Sequence, residues 1–72
     1  MVDSKDISRK VGQNLRRFRS QKGLAQIDVA VATDLNRTYV SRIETGKARI
    51  TFNLLCKLVT GLEIKPADLI DY

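Results

Sequence analysis

The feature that most constrains this chain is how often its apolar pattern is interrupted. Apolar residues recur at helical spacing from one end to the other, but the runs are cut at Gly23, Asp34, Gly46 and Gly61, so each helix they can build is short. In "DISRKVGQNLRRFRSQKG", Ile7, Val11, Leu15 and Phe18 follow at spacings of four, four and three, one stripe of an amphipathic helix, and Gly23 supplies its stop. The period predicts a first helix over roughly residues 6 to 22. Gly12 sits inside it, where glycine costs about 1 kcal/mol relative to alanine. Either a neighbour packs closely there, or the helix proper begins at that point and the residues before Val11 form a looser arm.

The rest divides by its caps. "LAQIDVAVATD" is too short and too apolar for periodicity to decide, but "NRTYVSRIETGK" offers Asn36 as an N-cap and Gly46 as a C-terminal glycine. A short helix, a tight turn and a second short helix result. In "TFNLLCKLVTGL", Thr51 caps a helix that presents Phe52, Leu55, Leu58, Val59 and Leu62 on one face and ends near Gly61. Pro66 then opens a short fifth helix, at the position where its missing N–H costs nothing, with Leu69 pointing inward. No strand signal, repeat or low-complexity linker interrupts this. The expectation is an all-α fold of five helices in one domain, residues 1–72, with a helix-turn-helix at about 25–45.

Size and composition narrow the function. A core built from 72 residues contributes only a few kcal/mol of net stability, so a dimer interface or a ligand would help it. No apolar run approaches the roughly 20 residues of a membrane helix, and the N-terminus lacks a hydrophobic signal core, which predicts a cytoplasmic protein. One cysteine cannot close an internal disulfide, and with no histidine there is no zinc constellation. Neither a metal, a cofactor nor a small-molecule ligand is implied. The net charge of +5 is uneven: residues 1–23 hold seven basic and two acidic side chains, residues 24–50 four and three, and residues 51–72 two and three. A polyanion docking on the basic side explains this, and so does a merely solubilising surface.

A helix-turn-helix beginning at Gln26 places Val29, Ala30, Leu35, Val40 and Ile43 inward, lets the helices cross closely at small Ala30, and sets the turn at Asp34. With these residues in place, "RSQKGLAQIDVA" followed by "LNRTYVSRIETGK" resembles the phage-repressor and Cro type of helix-turn-helix domain, whose pattern is R-x-x-x-G-L-[ST]-Q-x-x-L-A, a turn, and I-E-x-G-K. The resemblance covers roughly residues 11–70, including "EIKPADL", and implies a compact lambda-repressor-like DNA-binding fold. Within that family, "LNRTYVSRIE" is most similar to the controller proteins of restriction-modification systems, where an R-T-Y triplet opens the recognition helix. The chain departs from the pattern in carrying Asp34 for the usual turn glycine, Ala25 for the usual capping serine or threonine, and Lys65 where the last helix is often capped by serine. Ile27 and Val31 replace charged residues, either as a contact surface or as ordinary surface hydrophobes.

The polar crowding of residues 36–42 then has a use. A helix fits the major groove of B-DNA, where its first turns meet base edges. Arg37 is suited to a bidentate fork on guanine, and Thr38 to a methyl or hydroxyl contact; Ser41 and Arg42 lie one turn further along the same face. These four are the candidates for base reading. Gln26, Asn36, Tyr39 and Lys47 match positions that hold the DNA backbone in the family, and Arg49 and Arg16 are weaker candidates on charge alone. Arg19 and Glu44 match a structural ion pair in similar proteins. Cys56 reads as an inert thiol, since only Lys57 stands near it in the sequence. Leu54, Ile64, Ile70 and Tyr72 exceed what so small a core encloses, and a homodimer interface would use some of them.

Three classes of function compete. The first is a sequence-specific transcriptional regulator on a palindromic operator, repressing at high occupancy or activating from an upstream site. The second is a protein-interaction module, an antitoxin or anti-repressor, gripping its partner through Ile27 and Val31 or the fourth helix. The third, an enzyme, is disfavoured because no histidine, glycine-rich phosphate loop or closely spaced carboxylate pair offers chemistry. RNA binding lacks an aromatic stacking platform.

Overall fold

The computed structural model describes residues 4–70, and in them the chain forms five helices and no strand: α1 Ser4–Gln21, α2 Gln26–Thr33, α3 Arg37–Glu44, α4 Phe52–Leu62 and α5 Pro66–Leu69. The expected all-helical order is therefore the observed one. α1 is continuous through Gly12, so of the two explanations for that glycine close packing is correct and the looser arm is not. A Cβ at Gly12 would run into the carbonyl oxygen of Ile43 and lie 3.1 Å from that of Glu44. Glycine is what lets α1 cross the end of α3 at backbone contact.

Local chemistry sets each boundary. Thr51 accepts the Leu54 N–H at 3.1 Å and caps α4, as its sequence position implies. Ala25 and Lys65 offer no side-chain acceptor, yet in both cases the third helical residue compensates: Asp28 accepts the Ala25 N–H at 2.7 Å, and Asp68 accepts that of Lys65 at 2.9 Å. Asp34 adopts the left-handed conformation, φ 57° and ψ 40°, and the Leu35 N–H reaches back to the Ala30 carbonyl at 2.8 Å. This is the six-to-one closure that ends helices, here with aspartate in the place glycine usually takes.

α4 corrects one expectation. Its end falls at Leu62, near Gly61 as expected, and is closed by Glu63 at φ 56°. Gly61 lies within the helix, where a Cβ would collide with the Ala32 carbonyl oxygen and come within 2.9 Å of the Thr33 Cα; it serves the packing of α4 on α2. Leu55, Leu58, Val59 and Leu62 meet the core as expected, but Phe52 does not. Leu54 and Leu58 are buried, while Phe52 is 78% exposed. At 3.6 residues per turn Phe52 stands about 120° around the helix from Leu58, outside the stripe that Leu54, Leu58 and Leu62 define.

The core joins Val11 and Leu15 of α1 to Val29 and Ala30 of α2, Val40 and Ile43 of α3, Leu54 and Leu58 of α4, and Leu69 of α5. Leu35 and Ile7 pack against it half-buried. Because Leu54 is consumed by the core, it leaves the group read as surplus. Ile64 is half-buried, Ile70 is 39% exposed, and Tyr72 lies outside the described residues. Buried Asn14 donates its amide to the Leu69 carbonyl at 2.7 Å, pinning the four-residue α5 to α1. Among the described residues, no helix is long and apolar enough to cross a membrane.

Candidate nucleic-acid interface

α3 is defined sharply at its start. The Asn36 side chain accepts the Tyr39 N–H at 2.7 Å, so Arg37 is the first helical residue and Thr38 the second. Val40 and Ile43 are fully buried and fix the helix on the core by one side. The opposite side is polar and open: Arg37, Thr38 and Arg42 are exposed and Ser41 half-exposed. Arg37, Thr38, Ser41 and Arg42 line one shallow groove together with Thr45 and Lys47. All four side chains read as base contacts thus share a surface, and the lysine read as a backbone anchor borders it.

The other candidates divide. Tyr39 is half-buried against the core and Asn36 is exposed, but the Asn36 side-chain oxygen is committed to its cap, leaving its NH2 for an outside acceptor. Gln26 donates its amide to Glu44 Oε1 at 3.2 Å. It opens α2 and at the same time ties α2 to the end of α3, a role that sequence spacing does not show. Arg49 lies beyond this groove, on a neighbouring one, and Arg16 is exposed on α1 without lining it. One Arg42 amino nitrogen sits 3.4 Å from the Lys47 carbonyl, so this guanidinium leans toward the loop after α3.

Beneath the groove, Arg19 of α1 holds Glu44, the last residue of α3. Arg19 Nε donates to Oε2 at 2.7 Å and an amino nitrogen to Oε1 at 3.1 Å, while the other amino group donates to the Leu24 carbonyl at 2.9 Å. The Glu44 side chain is 3% exposed and that of Arg19 17%. The hydrogen bond to Glu44 raises the arginine pKa above its ordinary value, with burial working against it. A carboxylate at a helix C-terminus faces the negative end of the helix dipole. The bidentate guanidinium and Gln26 offset that penalty and fix the register of α3 against α1 and α2. Among the described residues no group of three or more His, Cys, Asp or Glu side chains is placed to hold a metal, and Cys56 is a partly buried free thiol.

This arrangement, a polar helix face presented beyond a short helix and a tight turn, meets its counterpart in known proteins. A helix-turn-helix domain family matches residues 10–71. The chain belongs to the helix-turn-helix family of the phage-repressor and Cro type. Within this family it is 36% identical over 62 residues to control protein C.BamHI of Bacillus amyloliquefaciens, covering 85% of this chain and 76% of that one. It is 38% identical over 65 residues to control protein C.MunI of a Mycoplasma species, covering 89% and 88%. The crystal structure of the restriction-modification controller protein C.AhdI from Aeromonas hydrophila superposes with a TM-score of 0.79 at 39% identity, covering 86% of this chain and 94% of that chain. The resemblance of "LNRTYVSRIE" to controller proteins accordingly extends over most of the chain.

Proposed function

We propose that this protein is a sequence-specific DNA-binding transcriptional regulator of the controller kind, acting as a homodimer on a palindromic operator. The observation that carries this reading is the groove on α3, where Arg37, Thr38, Ser41 and Arg42 converge beside Lys47 on the side opposite the buried Val40 and Ile43. Arg37 at the first helical position forks onto guanine O6 and N7, and Thr38 meets a thymine methyl or a base-edge acceptor. Ser41 extends the contact one turn on. Arg42, Lys47, Asn36, Tyr39, Gln26 and Arg49 hold phosphates and set the register without reading sequence. Two copies related by a two-fold axis would set two such helices roughly 34 Å apart, one turn of DNA. The small core, which gains stability from a partner, supports the dimer.

Binding selection from a random duplex pool at two salt concentrations tests this directly. The expected product is a palindromic motif with half-sites about a turn apart, and binding that weakens steeply as salt rises. A second reading rests on Ile27 and Val31, 51% and 76% exposed one turn apart on α2, which would suit an apolar contact with another protein. Affinity that ignores salt, with no motif recovered, would favour that interaction module over a DNA-binding regulator.

A further inference from the structure

Next to the groove on α3, a second and larger concavity of about 610 Å³ opens between the first turns of α1 and the loop that follows α3. Lys5 and Arg9 line it from α1, Lys47 and Arg49 from the loop. Thr45 and Lys47 border both concavities, so the two form one continuous surface. Gly46 takes the φ of +77° that the loop needs as it passes α1, with room there for no more than ordinary contact to the Arg9 Cα. Cations from two separate parts of the chain are thereby held around one space.

The donors in that space are mainly basic side chains. The N–H groups of Thr45, Gly46, Lys47 and Ala48 all turn inward to the carbonyls of Ser41, Ile43 and Arg42, at 2.9 to 3.2 Å. What remains at the concavity is four long basic side chains beside the buried Ser8, and those four amides make no cradle for an anion. Such a site grips by charge and tolerates variation in position, which suits a polyanion backbone better than a small anion of defined shape. Arg9 stands 3.9 Å from the Asp6 carboxylate, but both side chains are well exposed, at 67% and 45%, and an exposed pair of this kind is readily exchanged for a phosphate.

We propose that this concavity takes a phosphate of the DNA backbone, so that Lys5 and Arg9 extend the DNA interface from α3 onto the first turns of α1. The inference rests on the DNA-binding reading above and adds to it two residues that position the duplex without reading it. It also gives two of the seven basic residues of residues 1–23 a specific place on the surface.

The test compares the wild-type protein with Lys5→Gln/Arg9→Gln on the selected DNA site, with Arg9→Gln alone as a milder variant should the double one fold poorly by circular dichroism. The expected result is a salt slope reduced by about 0.9 for each phosphate released, with the ratio of affinities for selected and scrambled duplexes unchanged. Single methylphosphonate substitutions along the site should reveal one backbone position whose neutralisation weakens the wild type and leaves the variant unaffected. A variant with the wild-type slope and the wild-type sensitivity at every position would overturn the inference while leaving the regulator reading intact. Wild-type protein that selects no sequence and binds duplexes weakly at both salts would overturn both.

Discussion

Arg19 and Glu44 lie 25 residues apart and are joined by two hydrogen bonds, 2.7 and 3.1 Å, that couple α1 to the last residue of α3. The pair ties the C-terminal end of α3 to α1 and does not line the groove. Arg19→Met leaves a nearly buried carboxylate unpaired, and a loss of about 3 kcal/mol is expected in urea unfolding. Replacing both partners, as Arg19→Met with Glu44→Leu, should cost clearly less than Arg19→Met alone. A double variant that costs as much as Arg19→Met and Glu44→Leu added together would mean that the pair is not coupled. The arginine's raised pKa puts its pH window far to the alkaline side. Its contribution is fully present below the ordinary arginine value and is lost only as pH rises through the higher folded value, so Arg19 itself imposes no pH dependence near neutrality.

Arg37 and Lys47 border one groove and should separate by what they do to specificity. Arg37→Ala is expected to cost about 1 to 3 kcal/mol on the selected site and to relax the preference at one base pair. Lys47→Ala should weaken binding to every duplex alike and lower the salt slope by about 1. Competition titrations over single-base variants of the site provide the measurement, and a uniform loss for Arg37→Ala would assign that residue to the backbone instead.

Gly12 sets two effects against each other. In an exposed helix Gly→Ala stabilises by about 1 kcal/mol, but here the new methyl would run into the Ile43 carbonyl, and overpacking of this kind costs about 1 to 3 kcal/mol. Collision should win because the obstacle is backbone. Gly12→Ala is expected to lower the melting temperature, and a rise would show that α1 can shift off α3 at little cost.

Asp34 offers the reverse case. Its left-handed backbone, φ 57°, is one that glycine adopts without the penalty a Cβ brings. Asp34→Gly should stabilise the fold by about 0.5 to 1 kcal/mol in thermal melts while leaving DNA binding unchanged. Destabilisation would mean that the aspartate side chain holds the turn in some way its dihedral angles do not show.

Asn36 joins stability to recognition, because its side chain accepts the Tyr39 N–H at 2.7 Å and starts α3 at Arg37. Asn36→Ala is expected to cost about 1 kcal/mol of stability and to weaken DNA binding further, whereas Asn36→Ser should recover the stability. Recovery of DNA binding together with stability would show that Asn36 acts as a cap alone; stability without binding would add a phosphate contact to its role.

The sequence alone determined the helices, their order and the polar face of α3, because those follow from short-range rules. Caps at Asn36 and Thr51, proline at the start of α5, and the spacing of Val40 and Ile43 act within a turn or two of helix, and the family pattern in "RSQKGLAQ" and "IETGK" supplied the Arg19–Glu44 pair. Tertiary structure decided what depends on where one helix meets another. Gly12 and Gly61 look like a weak point and a stop in the sequence, but each is a place where two backbones touch. Phe52 and Leu54 exchange their expected positions because the docking of α4 on α2 selects a stripe that composition leaves open. The bond from Asn14 to the Leu69 carbonyl, and the gathering of Arg9 with Lys47 and Arg49 around one concavity, join residues far apart in the chain. No local period encodes such pairings; they arise only once the burial of one shared core has fixed the helices relative to one another.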